Sequence, residues 1–575
     1  MFVRLKTSRS SKHPTVQIVE SVRTSQNKVK QQIIASLGVV RNDDDKKALL
    51  KLAHNLIQKF GEDTNGQLSL GEFAHSYKPK EGKRAEHIDY RNLVHVNDYQ
   101  VGFDEVFGKL SEEIGFNSAL AKIDESGKHT FSVLEIIKSV VINRLKEPES
   151  KRASFLRDIF EKGESSFELH QVYRAMDLIV PFADEIQKCA HFAANELFPN
   201  VKSYFYDATT LFYESVVADE LKDFGYGKDG KFNQVQVVIC LLVTNEGLPV
   251  GYEIFSGNTA ETKTLKTAVE NLSKRYNVKS HTIVCDRGML SGENLATMSN
   301  EMNGMYYIVG EKLRTLPKAH QEVIFNASGY EYVGSTLVKV IPHPTRENAS
   351  LLLGHSEDRA KKDKADRDRL IKKLQKRFAK KKIQDPKSFV NNHGVKKYVN
   401  FTGGEAKLNL EMIARDERWD GYFGIVTNHP ELTKEEVLAQ YRGLWQVEAN
   451  FRIFKNDLAA RPIYHWNKNR IKAHILICFM ALVLERHLYV RLRKAEAPLT
   501  TTNIHNALRL CKKITLQDTK TFRLFQLATN KPIEAKKIYD VLGMDYRSQT
   551  IELPNPKKNV VPSLSVTQSK PIETT

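Results

Sequence analysis

At 575 residues the chain is too long for one hydrophobic core and long enough for two to four domains, and a hydrophobic content of 41% is enough to bury each of them. Lys and Arg number 87 against 69 Asp and Glu, so the formal charge of +18 and pI near 9.3 point to a polyanionic partner, with nucleic acid first. Cys189, Cys240, Cys285, Cys478 and Cys511 lie far apart without CxxC spacing, which argues against a zinc site or disulfide framework. The N-terminus lacks the apolar core of a signal peptide, and the longest apolar run, Ile475 to Leu484, is too short to span a bilayer. The expectation is a cytosolic protein with no membrane partner.

The opening segments "TVQIVESVR" and "KVKQQIIASLG" alternate with period two around the turn "TSQN", predicting a small β module over residues 1–43. A helix over 44–59 follows, then a polar, loose stretch from Asp63 to about Asp89. "FDEVFGKLSEEIG", "TFSVLEIIKSVVINRLK" and the segment from Ser166 to Phe198 carry helical periodicity, so 44–200 reads as a helical leader. The period then changes. "SYFYDATTLFYES", "NQVQVVICLLVT" and "PVGYEIFSG" predict three meander strands, the last two joined by a turn at Asn245, Glu246 and Gly247. A helix from Thr259, the buried strand "HTIVCD", a helix in "SGENLATMSN" and the strand "MYYIVG" complete 201–310 as a mixed sheet covered by helices.

Residues 311–418 break into short strand-like pieces, "STLVKVI", "KKYVNF" and "KLNLEMIARDE", around a Lys-rich stretch that reads as a solvated helix or a DNA-facing arm. "GYFGIVTN" restores a strand. The segment from Thr433 to Leu458 then predicts one helix, opened by Thr433 and Glu436 as a capping box. On it Leu444, Val447, Phe451, Phe454 and Leu458 form an apolar stripe, and Tyr441, Trp445, Glu448, Arg452 and Lys455 form a second stripe beside it. Residues 419–495 end in the buried helix around Ile475. Residues 496–553 are expected to be helical, and 554–575 lack periodicity and are expected to be a disordered tail.

Three acids stand out by position. Asp207 lies inside the first meander strand among aromatic neighbours, where an uncompensated carboxylate is costly. Asp286 ends a buried strand at the carboxyl edge of the sheet, where open sheets place ligand groups. Glu448 is borne on the helix. Carboxylates in this order can converge on two divalent cations, an arrangement suited to phosphoryl transfer. Each also has a plain reading, as a turn residue or as the partner of a local ion pair such as Asp286 with Arg287.

From Tyr204 to Leu488 the chain resembles the DDE transposases of bacterial insertion sequences, specifically insertion sequence family four, whose catalytic core is RNase H-like. The resemblance rests on "YFYDATTLFYE" around Asp207, "VCDRGMLSGENL" around Asp286, and a signature of Tyr, Arg, Glu and Lys on one helix. Tyr441, Glu448 and Lys455 match that spacing, while Leu444 stands at the arginine position. Arg452, one turn beyond Glu448, is the better stand-in than Arg442. The resemblance implies an α/β, RNase H-like core with a mostly β insertion over 311–418. It also implies Asp207, Asp286 and Glu448 as catalytic residues and ligands to two Mg2+ ions, with Mn2+ able to substitute. Tyr441, Trp445, Arg452, Lys455 and Arg287 would face DNA, with Trp445 either stacking on a flipped base or packing against the insertion. Further implications are recognition of terminal inverted repeats by the leader domains, strand transfer of 3′ ends to target DNA, and a homodimer bridging two ends. The rival expectations are a nuclease of the same fold without strand transfer, or an inactive descendant acting as a repressor.

Overall fold

A computed structural model of the chain describes residues 89–553 apart from 163–165, 200, 202, 214–216, 226–233, 277–280, 290–304, 380–395, 403–404 and 547–549. Before residue 89 it describes 2–7, 13–23, 29–40 and single positions between 43 and 57. The loose stretch after Asp63, the helix "SGENLATMSN" and the tail from 554 thus lie outside the described residues. The chain divides into two units, Met1–Asp89 and Tyr90–Thr575.

In the first unit β1 (Phe2–Lys6), β2 (Thr15–Arg23) and β3 (Val29–Val39) form an antiparallel sheet in chain order. The period-two alternation of β2 turns Val16 and Ile18 inward, where they cluster with Val40 and Ala53.

The second unit opens with β4 (Leu93–Gln100), followed by α1 (Gly102–Glu113), α2 (Phe116–Ser126), α3 (Val133–Lys146), α4 (Lys151–Lys162), α5 (Leu169–Ile179) and α6 (Ala183–Leu197). The meander is β5 (Ser203–Phe212), β6 (Gln236–Thr244) and β7 (Pro249–Ser256). Then come α7 (Glu261–Tyr276), β8 (His281–Cys285) and β9 (Met305–Glu311). The insertion supplies α8 (Lys318–Phe325), β10 (Glu331–Val333), β11 (Thr336–Pro342), β12 (Ser350–Ser356), α9 (Glu357–Ala379), β13 (Val399–Thr402), β14 (Glu405–Leu408) and α10 (Leu410–Glu417). The chain returns through β15 (Tyr422–Thr427), α11 (Lys434–Arg442), α12 (Trp445–Arg452) and a π turn (Ile453–Asp457) to α13 (Lys468–Lys494). It ends with α14 (Thr501–Arg509), β16 (Lys512–Asp518), β17 (Leu524–Ala528), α15 (Ile533–Val541) and β18 (Ile551–Leu553).

Nine strands make one mixed sheet in the order β10-β11-β12-β15-β9-β8-β5-β6-β7. The meander strands are antiparallel, whereas β5 pairs β8 and β8 pairs β9 in parallel, so this is a mixed α/β fold that fits the expected RNase H-like core. Alternation divides the side chains between two faces. Phe205, Val237, Ile239 and Val284 pack on one side with α12 and α13. Tyr204, Tyr206, Cys240 and Cys285 pack on the other with Leu265, Ala268 and Val269 of α7.

Three segments differ from the sequence reading. Helices α1–α6 are not a separate leader: Phe103, Phe107, Ile137, Met176 and Ile186 share one core with Phe205 and with α13. The cause is α13, in which every residue from Ile475 to Leu484 is at most 1% exposed, so a helix apolar all round must be enclosed on every side. Each buried Ile, Leu, Val, Phe or Met of that run contributes roughly 1.5–3 kcal/mol. The region 496–553 is not only helical, because β16 pairs with β4 and with β17, and β17 with β18. The insertion is mixed rather than mostly β: β10–β12 extend the main sheet, the Lys-rich stretch begins as α9, and "LEMIARDE" is helical, capped by Asn409 accepting from the Met412 amide at 3.0 Å. Among the described residues no helix is long and apolar enough to cross a membrane.

Candidate active site

The sheet register brings the two aspartates together. Tyr206 is the partner of Cys285 in the parallel β5–β8 pair, so Asp207 and Asp286 are the next residues along neighbouring strands, which lie about 4.8 Å apart. Alternation places Asp207 on the Phe205 face and Asp286 on the Val284 face, the same side of the sheet. The buried Cys285 thiol behind them reports both: burial, then the Asp207 and Asp286 carboxylates, hold its pKa far above the ordinary value. Asp207 is half-buried and accepts the Ala208 amide at 2.8 Å, while Asp286 is exposed.

Glu448 comes to that same side on α12, which packs against β5 and β6 through Val447 and Phe451. Glu448 is exposed and Trp445 is 54% exposed, so both face away from the apolar stripe as the helical phase requires. Among the described residues, however, no three His, Cys, Asp or Glu side chains stand close enough to hold a metal ion. The sheet thus assembles Asp207 with Asp286, and Glu448 stands apart on the same face. Three carboxylates drawn together without a cation would repel one another. Their chemistry nonetheless fits a hard divalent cation, which takes oxygen ligands.

The five-residue stripe is not one helix face. The capping box of Thr433 and Glu436 is present, but α11 ends at Arg442 and α12 starts at Trp445. The interruption is at Gly443, where a Cβ would lie 2.4 Å from the Phe205 ring, so only glycine lets the chain come this close to β5. Tyr441 therefore sits on α11, half-buried against the core, with its hydroxyl over Gly310, where a Cβ would meet it at 2.4 Å. Burial and the Asp286 carboxylate push its pKa up to about 12. It walls the second aspartate rather than lying on an open stripe with Glu448. Lys455 falls in the π turn, half-buried, and Arg452 remains exposed one turn beyond Glu448. Arg442 donates to Thr336 Oγ1 of β11, so it is engaged with the insertion.

Beside Tyr441 lies a cavity of about 550 Å³ lined by Arg287, Lys312, Arg314, Arg359, Arg367 and Lys397 with Trp419, Tyr422 and Phe423. Among these cations Arg314 and Lys397 pair with Asp416, Arg359 with Asp363, and Arg367 with Asp420 and Glu417. Glu311 also lines the cavity. Burial opposes its ionisation, but hydrogen bonds from His343 and Arg346 outweigh that and bring its pKa to about 2.

Two site features were visible in the sequence only as exceptions. Gly443 is an isolated glycine in a helical pattern. Asn450 is a polar residue in phase with Val447 and Phe454, and it is fully buried.

Residues 204–484 match the transposase DDE domain, and the protein is a DDE transposase. Residues 3–67 match the N-terminal domain of IS1634 family transposases, so it is a transposase of an insertion sequence. Among solved structures the chain is similar to a piggyBac transposase synaptic complex with hairpin DNA, at 10% identity and a TM-score of 0.33, covering 71% of this chain and 79% of that one. No curated protein matches it in sequence.

Proposed function

We propose that the protein cuts and joins DNA at the ends of its element through a site made by Asp207, Asp286 and Glu448 on an RNase H-like core. The observation that carries this reading is the register of Asp207 and Asp286 on adjacent parallel strands, on the face that the Glu448 helix covers. The three carboxylates would hold two Mg2+ ions, or Mn2+ in their place. Such ions, when bound, activate the attacking oxygen and stabilise the leaving one. The chain's own residues then do the rest. Exposed Arg452 takes the phosphate-clamping position left open by Leu444, with Lys455 and Arg287 as further phosphate contacts, and exposed Trp445 offers a stacking face to an unpaired base. Tyr441 supports the Asp286 turn from behind. The Tyr441, Glu448 and Lys455 spacing favours family four of the insertion sequences, with terminal repeats and target as double-stranded DNA partners and a homodimer bridging two ends. The net charge of +18 accords with such a partner.

A precleaved element end with a free 3′-hydroxyl, mixed with supercoiled plasmid and Mg2+, tests the reading. Covalent joining of the end to the plasmid is expected. Cleavage of an uncut end without any joining would make the protein a nuclease of this fold instead.

A further inference from the structure

Behind Glu448 the catalytic helix grips a hairpin tip. The turn through Asn245, Glu246 and Gly247 joins β6, the partner strand of Asp207, to β7. Gly247 adopts φ +87°, and its amide donates to the Thr244 carbonyl at 2.9 Å. Its own carbonyl accepts two bonds, from Asn450 Nδ2 and from Arg486 Nε of α13, each at 3.1 Å. Asn450 is fully buried and also donates to the Gln446 carbonyl at 2.8 Å; Arg486 is 6% exposed, its guanidinium 4.8 Å above the Tyr489 ring. A Cβ on Gly247 would stand 2.5 Å from both Arg486 Nη2 and Gln446 Oε1, so a larger residue would push aside the side-chain ends that form the grip and would be strained at this φ.

Packing by Val447 and Phe451 is non-directional and leaves α12 free to roll or slide slightly. A hydrogen bond constrains direction as well as distance. Asn450 follows Glu448 by two residues, about 200° around the helix, so any roll about the Asn450 anchor swings Glu448 over the sheet. We infer that Asn450, held with Arg486 on the Gly247 carbonyl, is a positioning residue that sets where Glu448 stands on the face of the sheet that carries Asp207. This rests on the reading of Glu448 as a metal ligand.

The test is equilibrium Mn2+ binding to the full chain, followed by the electron paramagnetic resonance signal of free Mn2+, beside a thermal melt. Asn450→Leu keeps the branched four-atom side-chain outline and removes the donor, and Arg486→Met removes the donor from the other side with a shorter side chain. Loss of a group that orients a metal ligand lowers affinity about 10- to 100-fold, and that weakening is expected for both variants. If one variant fails to fold, the other carries the comparison. A lowered melting temperature with unchanged Mn2+ affinity in the folded variants would overturn the inference. Glu448→Gln separates the two readings: if it weakens Mn2+ binding and the two clamp variants do not, the clamp alone is wrong. If Glu448→Gln also leaves Mn2+ binding unchanged, the ligand reading fails and the inference falls with it.

Discussion

Gly443→Ala puts the placement of Glu448 to a quantitative test. Gly443 has φ −68° and ψ −9°, an ordinary right-handed conformation, so alanine meets no backbone strain there. Helix propensity alone would favour alanine by about 1 kcal/mol. Opposing it, the new methyl would lie 2.4 Å from Phe205 Cζ and 3.0 Å from the Gln440 carbonyl, whereas ordinary contact begins at 3.4 Å. The ring or the helix must therefore retreat by 3.4 − 2.4, or about 1 Å. Phe205 is 1% exposed on the strand of Asp207 and cannot swing into solvent, so the helix moves. Overpacking of this kind costs about 1–3 kcal/mol, which leaves a net loss of about 0–2 kcal/mol and a folded protein. The retreat carries Glu448 away from β5, and a 1 Å misplacement costs on the order of 100-fold in rate. Urea melts and single-turnover nicking of an element end measure the two effects separately. A variant that nicks at the wild-type rate would refute the claim that this close approach sets the carboxylate.

Glu311→Gln should remove an acid-sensitive contribution of about 3 kcal/mol, since the folded pKa of about 2 lies below the usual 4.5. That stability is fully present above pH 4.5 and is lost as pH falls toward 2, so urea melts of wild type and variant should converge over that window; parallel curves would contradict the assignment. Trp445→Ala, at a 54% exposed residue, should change stability by no more than about 0.5 kcal/mol, permit the first nick and stall later steps, with an abasic site near the cut restoring them. A large stability loss would show a packing role instead. A fragment of residues 1–200 should lack a cooperative melt, because α1–α6 lose the α13 surface they pack on; a sharp two-state transition would show that the helices fold without it.

The strands were legible where the sequence pattern is local. The meander, "HTIVCD" and "MYYIVG" announce themselves by apolar runs between turn residues, and the buried α13 by its unbroken apolar stretch. Of their order, only the pairing of β6 with β7 follows from a short connection, the turn at 245–248. What depends on residues far apart in the chain was hidden. β4 and β16 pair across more than four hundred residues, and neither strand says so locally. Similarly, the stripe through Tyr441 and Glu448 obeys helical phase, but the contact of Gly443 with Phe205 interrupts the helix between them. The acids were found because a carboxylate inside a strand, or at the end of one, is conspicuous. The residues that place Glu448, namely Gly443, Asn450 and Gly247, are small or neutral and show their roles only through what they touch.

The most direct measurement of the central claim is joining of a precleaved element end to plasmid by Asp207→Asn, Asp286→Asn and Glu448→Gln, each beside a gel-shift measurement of end binding. If the three form one site, every variant abolishes joining in Mg2+ while binding the end nearly as tightly as wild type, because a metal ligand rather than a DNA contact has been lost. Near-normal joining by any one of the three would remove that residue from the site and contradict the account.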